Sequence, residues 1–280
     1  MASKRRLLAC FAHPDDESFG TGGALARYAA EGAEVTLVCA TRGEVGEIAE
    51  GTGATPETLP QVREEELKCS CRAMGLPAPL FLGYRDSGMA GTADNENPAA
   101  FAQAPAEQVV GQLVAIIRRL KPQVLLTFGP DGGYGHPDHV AIHQHTLAAL
   151  AAAADPDRYP QAGPPWQAQR VFYMAISRRF FQAILERMKA LGMDTSIFQG
   201  MAERRDRLPE EPVGAEVDVS RYVDAKWAAI QCHATQLSPI GPWRALPEAT
   251  LKQLVSQEYY ALGYPRIELA KPLDDLFSGL

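Results

Sequence analysis

The chain has 280 residues, 46% of them apolar and 22% charged, which excludes the disordered, collagen-like and membrane-spanning classes. With 27 Lys and Arg against 34 Asp and Glu, the net charge is −7, and a surface built mainly to grip nucleic acid or anionic lipid is excluded too. Five cysteines with no secretory signal read as a reduced intracellular set, with Cys10 and Cys39 in apolar runs and Cys69-Ser-Cys71 filling a helix.

Lys4-Arg5-Arg6 followed by apolar residues imitates a signal peptide, but the apolar run Leu7–Ala12 stops at His13-Pro14-Asp15, short of the usual h-region of about 7–15 residues. The longest other apolar stretch, Leu147–Ala154, is far below the roughly 20 residues of a membrane span. A soluble, cytoplasmic protein is expected, with no integral membrane segment.

Taken in order, Arg6–Ala12 is a strand, Gly20–Glu31 a helix stopped at Gly32, and Val35–Ala40 a second strand. Gln61–Met74 has the spacing of a charged amphipathic helix. Leu80–Leu82 is a short strand, and Pro105–Leu120 a helix broken at Lys121-Pro122. Gln123–Phe128 is a strand, Pro137–Ala154 a helix and Arg170–Ile176 a strand. Residues 86–104 and 155–169, rich in Gly, Pro, Asn, Asp and Ala, form long loops. Beyond Ser177 the pattern loosens into a helix near Arg178–Leu191, a polar stretch Met201–Gly214, a strand Glu216–Val219 and a helix from about Arg221.

Strands without polar alternation, each separated by a helix, predict a parallel sheet covered on both faces: a doubly wound α/β fold. We expect one domain over 1–280, with a core of about 5–176 and a C-terminal elaboration of about 177–280. Such folds bind ligands beyond the carboxyl ends of their strands. Two polar clusters fall there: His13-Pro14-Asp15-Asp16-Glu17 after the first strand, and Asp131 to His139 after the strand ending at Phe128.

His13 and Asp16 are three residues apart across a helix start, and His136 and His139 repeat the spacing. Three ligands drawn from His and Asp, with one position open, describe a hydrolytic zinc site. His13, Asp16 and one histidine of the second cluster supply them. Asp15, not spent on the metal, is the candidate base, and Asp138 the carboxylate that orients a ligating imidazole. His143 and His145 read as helix-face histidines.

Ala12-His13-Pro14-Asp15-Asp16-Glu17 together with Gly135-His136-Pro137-Asp138-His139 resembles the PIG-L/LmbE family of zinc-dependent N-acetylglucosamine deacetylases. That family includes N-acetylglucosaminyl-phosphatidylinositol deacetylases, deacetylases of the mycothiol and bacillithiol pathways, and mycothiol S-conjugate amidase. The resemblance spans roughly residues 5–176 and implies a Rossmann-like fold. It also implies His13, Asp16 and His139 as metal ligands, Asp15 as general base, and His136 as the residue that stabilises the tetrahedral intermediate or donates a proton. Tyr134 matches a mobile tyrosine near the reacting carbonyl, Arg63 an arginine that holds substrate, and Asp86 a sugar-hydroxyl contact. Lys226–Gln236 resembles a C-terminal element of the same family and receives no catalytic role.

The implied reaction is zinc-dependent removal of the N-acetyl group from an N-acetylglucosaminide, of the inositol or malate type, with Fe2+ as another occupant of the site. The partner is therefore a small amino sugar. Two alternatives are an amidase of a thiol conjugate using the same site, and a non-catalytic nucleotide-binding module suggested by Gly20-Thr21-Gly22-Gly23. The latter run lacks the full glycine fingerprint and follows acidic residues that repel a pyrophosphate.

Overall fold

The computed structural model describes residues 4–175, 178–196, 199–200, 203, 212–238 and 242–280. Its centre is β1 (Arg6–Phe11), in which every residue from Leu7 to Phe11 is buried. A strand apolar on both faces needs cover on both, and it pairs in parallel with β2 (Glu34–Cys39) on one side and β4 (Val124–Thr127) on the other. The seven strands run in the order β3-β2-β1-β4-β5-β7-β6, with β3 at Leu80–Phe81 and β5 at Arg170–Ala175. The first five are parallel. β7 (Gln257–Tyr264) is antiparallel to both of its neighbours, β5 and β6 (Val213–Asp218). The fold is thus doubly wound and mostly parallel.

Nine helices are needed to follow the site: α1 (Asp16–Phe19), α2 (Gly22–Ala30), α3 (Leu59–Ala73), α4 (Ala106–Leu120), α5 (Gly132–Gly135), α6 (Pro137–Ala154), α7 (Arg178–Ala190), α8 (Val223–Cys232) and α9 (Glu248–Leu254). The strand order runs outward from β1 in both directions, and with the right-handed crossovers usual in such sheets α2 and α3 cover one face while α4 and α6 cover the other. α4 packs on α6, and α8 joins α2 and α3. The strand order reverses between β1 and β4, which opens a crevice beyond their carboxyl ends.

Predicted and observed elements agree through the core, α6 over its full predicted span. The strand β7 was not anticipated. Ile176 and most of the polar stretch Met201–Gly214 lie outside the described residues. α4 stops where Lys121 takes a left-handed φ of 53° and returns its N–H to Ile117 O, with Pro122 behind it. Beneath that end Arg118, 2% exposed, donates to the carbonyls of Ala152, Ala153, Asp155, Arg158, Tyr159 and Gly163.

One expectation is corrected. Cys69 on α3 and Cys232 at the end of α8 form a disulfide, so the cysteines are not a uniformly reduced set; Cys10, Cys39 and Cys71 are free and buried. Sequence alone misses it because the partners are 163 positions apart. The glycine run at the start of α2, disfavoured from sequence as a nucleotide site, does not present an open anion site either. The N–H groups of Gly23 and Ala24 donate to the Glu258 carboxylate at 2.8 and 2.9 Å, and Lys226 Nζ lies 2.7 Å from the same carboxylate. The helix dipole that would favour a phosphate is satisfied by the chain's own acid.

Candidate active site

Beyond Phe11 the chain leaves the sheet and turns through Pro14 and Asp15 into α1. Asp16 directs its Oδ2 back onto the N–H groups of Ala12 and His13, at 3.1 and 2.8 Å, which fixes its carboxylate beside the His13 ring. Beyond β4, the Gly132–Gly135 turn leads to His136, which caps α6 by accepting the Asp138 N–H at Nδ1 (3.2 Å), and Pro137 opens the helix. Gly132 has φ 63°, and a Cβ there would come within 2.8 Å of the His139 Cβ, so the turn closes on His139 only with glycine.

These two corners bring His13, Asp16 and His139 together. His13 Nδ1 lies 3.1 Å from His139 Nε2 and 3.7 Å from Asp16 Oδ2, and His139 Nε2 lies 3.4 Å from Asp16 Oδ1. The outer nitrogens are already used. His139 Nδ1 donates to Gly132 O at 2.9 Å, and His13 Nε2 faces Asp138 Oδ2 at 3.1 Å and Asp86 Oδ1 at 3.4 Å. Both inner nitrogens therefore present lone pairs to one another, next to a carboxylate, in a buried place. Neutral imidazoles leave that arrangement repulsive; a cation in the gap resolves it. Burial opposes a charged His13, but Asp138 and Asp86 lift its pKa well above the usual value. Two imidazoles and a carboxylate suit zinc or ferrous iron.

Around this group the structure places the other predicted residues. Asp15 is half-buried, and burial followed by the charge of Asp16 pushes its carboxyl up to about 7. Burial, with His13 and His139 nearby, pushes His136 down to about 3; its capping bond leaves the ring proton on Nε2, a neutral donor. Asp138 is fully buried behind His13, where it also accepts from the Ser87 N–H at 2.9 Å and the Ser87 hydroxyl. Asp86 accepts from the Gly88 N–H at 2.8 Å, and the neighbouring positive charge of His13 helps hold its carboxyl low against the opposing effect of burial. Tyr134 is 37% exposed, its ring 5.0 Å from that of His139.

Arg63 is not on an exposed helix face. It is 4% exposed and donates to the carbonyls of Gly43 and Glu47 at 3.0 and 2.9 Å, bracing the loop after β2. His143 is buried with Nδ1 2.9 Å from Phe128 O, and His145 meets the Phe101 ring, so neither joins the group.

His13, Asp15, Asp16, His136 and His139 border a cavity of about 770 Å3, which Arg63, Asp86 and Tyr134 also line. Its far wall comes from Met174 at the end of β5, Trp243, Val255, and Gln257 to Tyr259 at the start of β7. Sequence reasoning missed that wall, as it missed the 233–236 segment, which received no role. His233 Nε2 reaches Glu17 Oε1 at 2.8 Å, and Gln236 Nε2 donates to Pro14 O at 2.6 Å. Neither contact has a local signal, since each closes over more than 200 positions.

The family model of PIG-L, GlcNAc-PI de-N-acetylase, matches residues 8–150. The chain is 40% identical to the 1D-myo-inositol 2-acetamido-2-deoxy-alpha-D-glucopyranoside deacetylase of Streptomyces avermitilis, over 99% of this chain and 97% of that protein. Among solved structures, the N,N'-diacetylchitobiose deacetylase of Pyrococcus horikoshii is similar in fold, with TM-score 0.63 and 18% identity over 93% of this chain and 84% of that one. So is the 4-carboxy-2-hydroxymuconate hydratase of Pseudomonas putida KT2440, with TM-score 0.65 and 20% identity over 95% and 99% of the two chains. A fold shared by a deacetylase and a hydratase does not choose a reaction. The family is decided by the matched model and the near full-length identity: the chain belongs to the PIG-L family.

Proposed function

We propose that the protein is a metal-dependent N-deacetylase that hydrolyses the acetamide of a 2-acetamido-2-deoxy-glucopyranoside of inositol, releasing acetate and a free amino sugar. The observation that carries the reading is the facing pair of electron-rich nitrogens, His13 Nδ1 and His139 Nε2, beside the Asp16 carboxylate, with Asp15 in the same cavity. The inositol glycoside is supported by the name of the full-length relative.

His13, Asp16 and His139 would hold the metal, zinc or ferrous iron. When bound, it supplies a Lewis acid to the acetamide carbonyl and to a nucleophilic water. Asp15 takes the proton of that water on its carboxylate. A carboxyl raised toward neutrality by burial is suited to accept that proton and then return it to the departing amine, so one residue serves both transfers. His136, neutral with its proton on Nε2, donates a hydrogen bond to the developing oxyanion. Holding its pKa near 3 favours this role over that of a charged acid. Asp86, which lines the same cavity, would accept from a sugar hydroxyl. The far wall from β7 and Trp243 leaves room for the aglycone.

Purified protein with its metal content measured, assayed for acetate from the glucosaminyl-inositol amide, tests the reading. Asp15→Ala is expected to retain metal and lose about 100- to 10,000-fold in kcat, whereas His139→Ala loses the metal. Near wild-type kcat in Asp15→Ala, or a wild-type protein that releases no amine, overturns it.

A further inference from the structure

Asp15 sits in a backbone conformation that its residue type avoids. Its φ is 116° and ψ −30°, outside the regions open to an L-residue with a side chain, and such a conformation persists only where its surroundings hold it. The hold is visible on both edges of the Pro14–Asp15 peptide. The Asp15 N–H donates to Glu17 Oε2 at 3.0 Å, and the Pro14 carbonyl accepts from Gln236 Nε2.

Glu17 is itself fixed. It is 1% exposed, and its second oxygen accepts from the Ser70 hydroxyl on α3 and from His233 Nε2 just past α8. His233 is fully buried and its Nδ1 has no hydrogen-bond partner, so Nε2 carries the proton and points at Glu17. A buried carboxylate with three donors and no face on the cavity has one output toward the reaction: the peptide that carries Asp15.

We infer that Glu17 is a positioning residue for Asp15, and that Ser70 and His233 hold Glu17 for that purpose. This rests on the reading of Asp15 as the base. Without the Glu17 acceptor the Asp15 N–H is left unpaired, the backbone relaxes toward an ordinary φ, and the carboxylate moves away from the water it must deprotonate. A displacement of about 1 Å at such a group costs on the order of 100-fold in rate.

The test compares Glu17→Ala, Glu17→Gln, Asp15→Ala and the double variant Asp15→Ala/Glu17→Ala. The readouts are kcat and KM for acetate release from the glucosaminyl-inositol amide, metal content, and a crystal structure of each Glu17 variant. Glu17→Ala should lower kcat about 100-fold with KM and metal content unchanged, and Asp15 should leave the positive-φ region. Glutamine keeps an oxygen for the Asp15 N–H and should recover at least 10-fold of the loss. The double variant should be no slower than Asp15→Ala, because the two residues act as one unit. If Glu17→Ala does not fold, Ser70→Ala, which loosens Glu17 without bordering the cavity, should lower kcat several-fold with KM constant.

The inference is overturned if Glu17→Ala keeps kcat within about threefold, if Glu17→Gln is no better than Glu17→Ala, or if Asp15 keeps its φ in the variant structures. Wild-type kcat in Asp15→Ala would instead remove the base assignment, and the variant structures would still report whether Glu17 holds the Asp15 backbone.

Discussion

At the scale of single residues, the site is a set of opposed titrations. Asp15 is raised to about 7 when folded, against an unfolded value near 3.9. Between these values the folded chain keeps a proton that the unfolded chain has released. Its stabilising contribution is therefore complete below about pH 4 and is lost as pH rises through 7. His136 and His139, depressed to about 3 by burial and by the His13 charge, work the other way: their contribution is present above the unfolded value of about 6.5 and is lost as pH falls. Above pH 6.5 the histidines no longer oppose Asp15. The Tm of chelator-treated protein should decline from pH 6.5 to 8, and Asp15→Asn should make the decline shallower. Equal slopes in a thermal scan would contradict the assignment.

At the scale of elements, much was legible and the reasons are local. Leu7 to Ala12 reads as a buried strand because no polar residue interrupts it, and α6 is bounded by Pro137 and by the polar loop after Ala154. The two polar corners were legible because each lies within a few residues of a strand end. What was illegible depends on distant partners. Nothing near Glu258 marks it as the acid that caps α2, 234 positions earlier, and nothing near Arg63 says that its guanidinium turns inward to two carbonyls. β7 was missed because Glu258 puts a buried charge into its alternation, tolerated only through Lys226, Tyr260 and the α2 N–H groups. Arg118 is the same kind of element. It ties the end of α4 to the carbonyls at the end of α6 and in the following loop, and no substitute side chain offers five donors in that fork. Arg118→Ala should cost at least about 3 kcal/mol in urea unfolding, as a buried polar network is left without its centre. A loss under about 1 kcal/mol would show that water replaces the guanidinium.

At the scale of the molecule, the Cys69–Cys232 bond ties α3 to α8 across 163 positions. Loop-closure entropy for that span corresponds to about 5 kcal/mol in the unfolded-state model. Reduction with dithiothreitol, or Cys232→Ser, should lower Tm on the order of 10 °C. An unchanged Tm would show that packing of α8 on α2 and α3 alone sets that part of the stability.

The strand order has a consequence for how the chain is made. Among the described residues β6 joins the sheet through β7 alone, and β7 follows it by nearly 40 residues. On a ribosome, the five parallel strands can assemble as they emerge, while β6 must wait with both edges unpaired until its later neighbour arrives. The same arrival delivers Glu258 to α2 and closes the far side of the cavity. A nascent chain therefore holds both polar corners before it holds a finished pocket, and its vulnerable interval is the translation of the segment between those two strands.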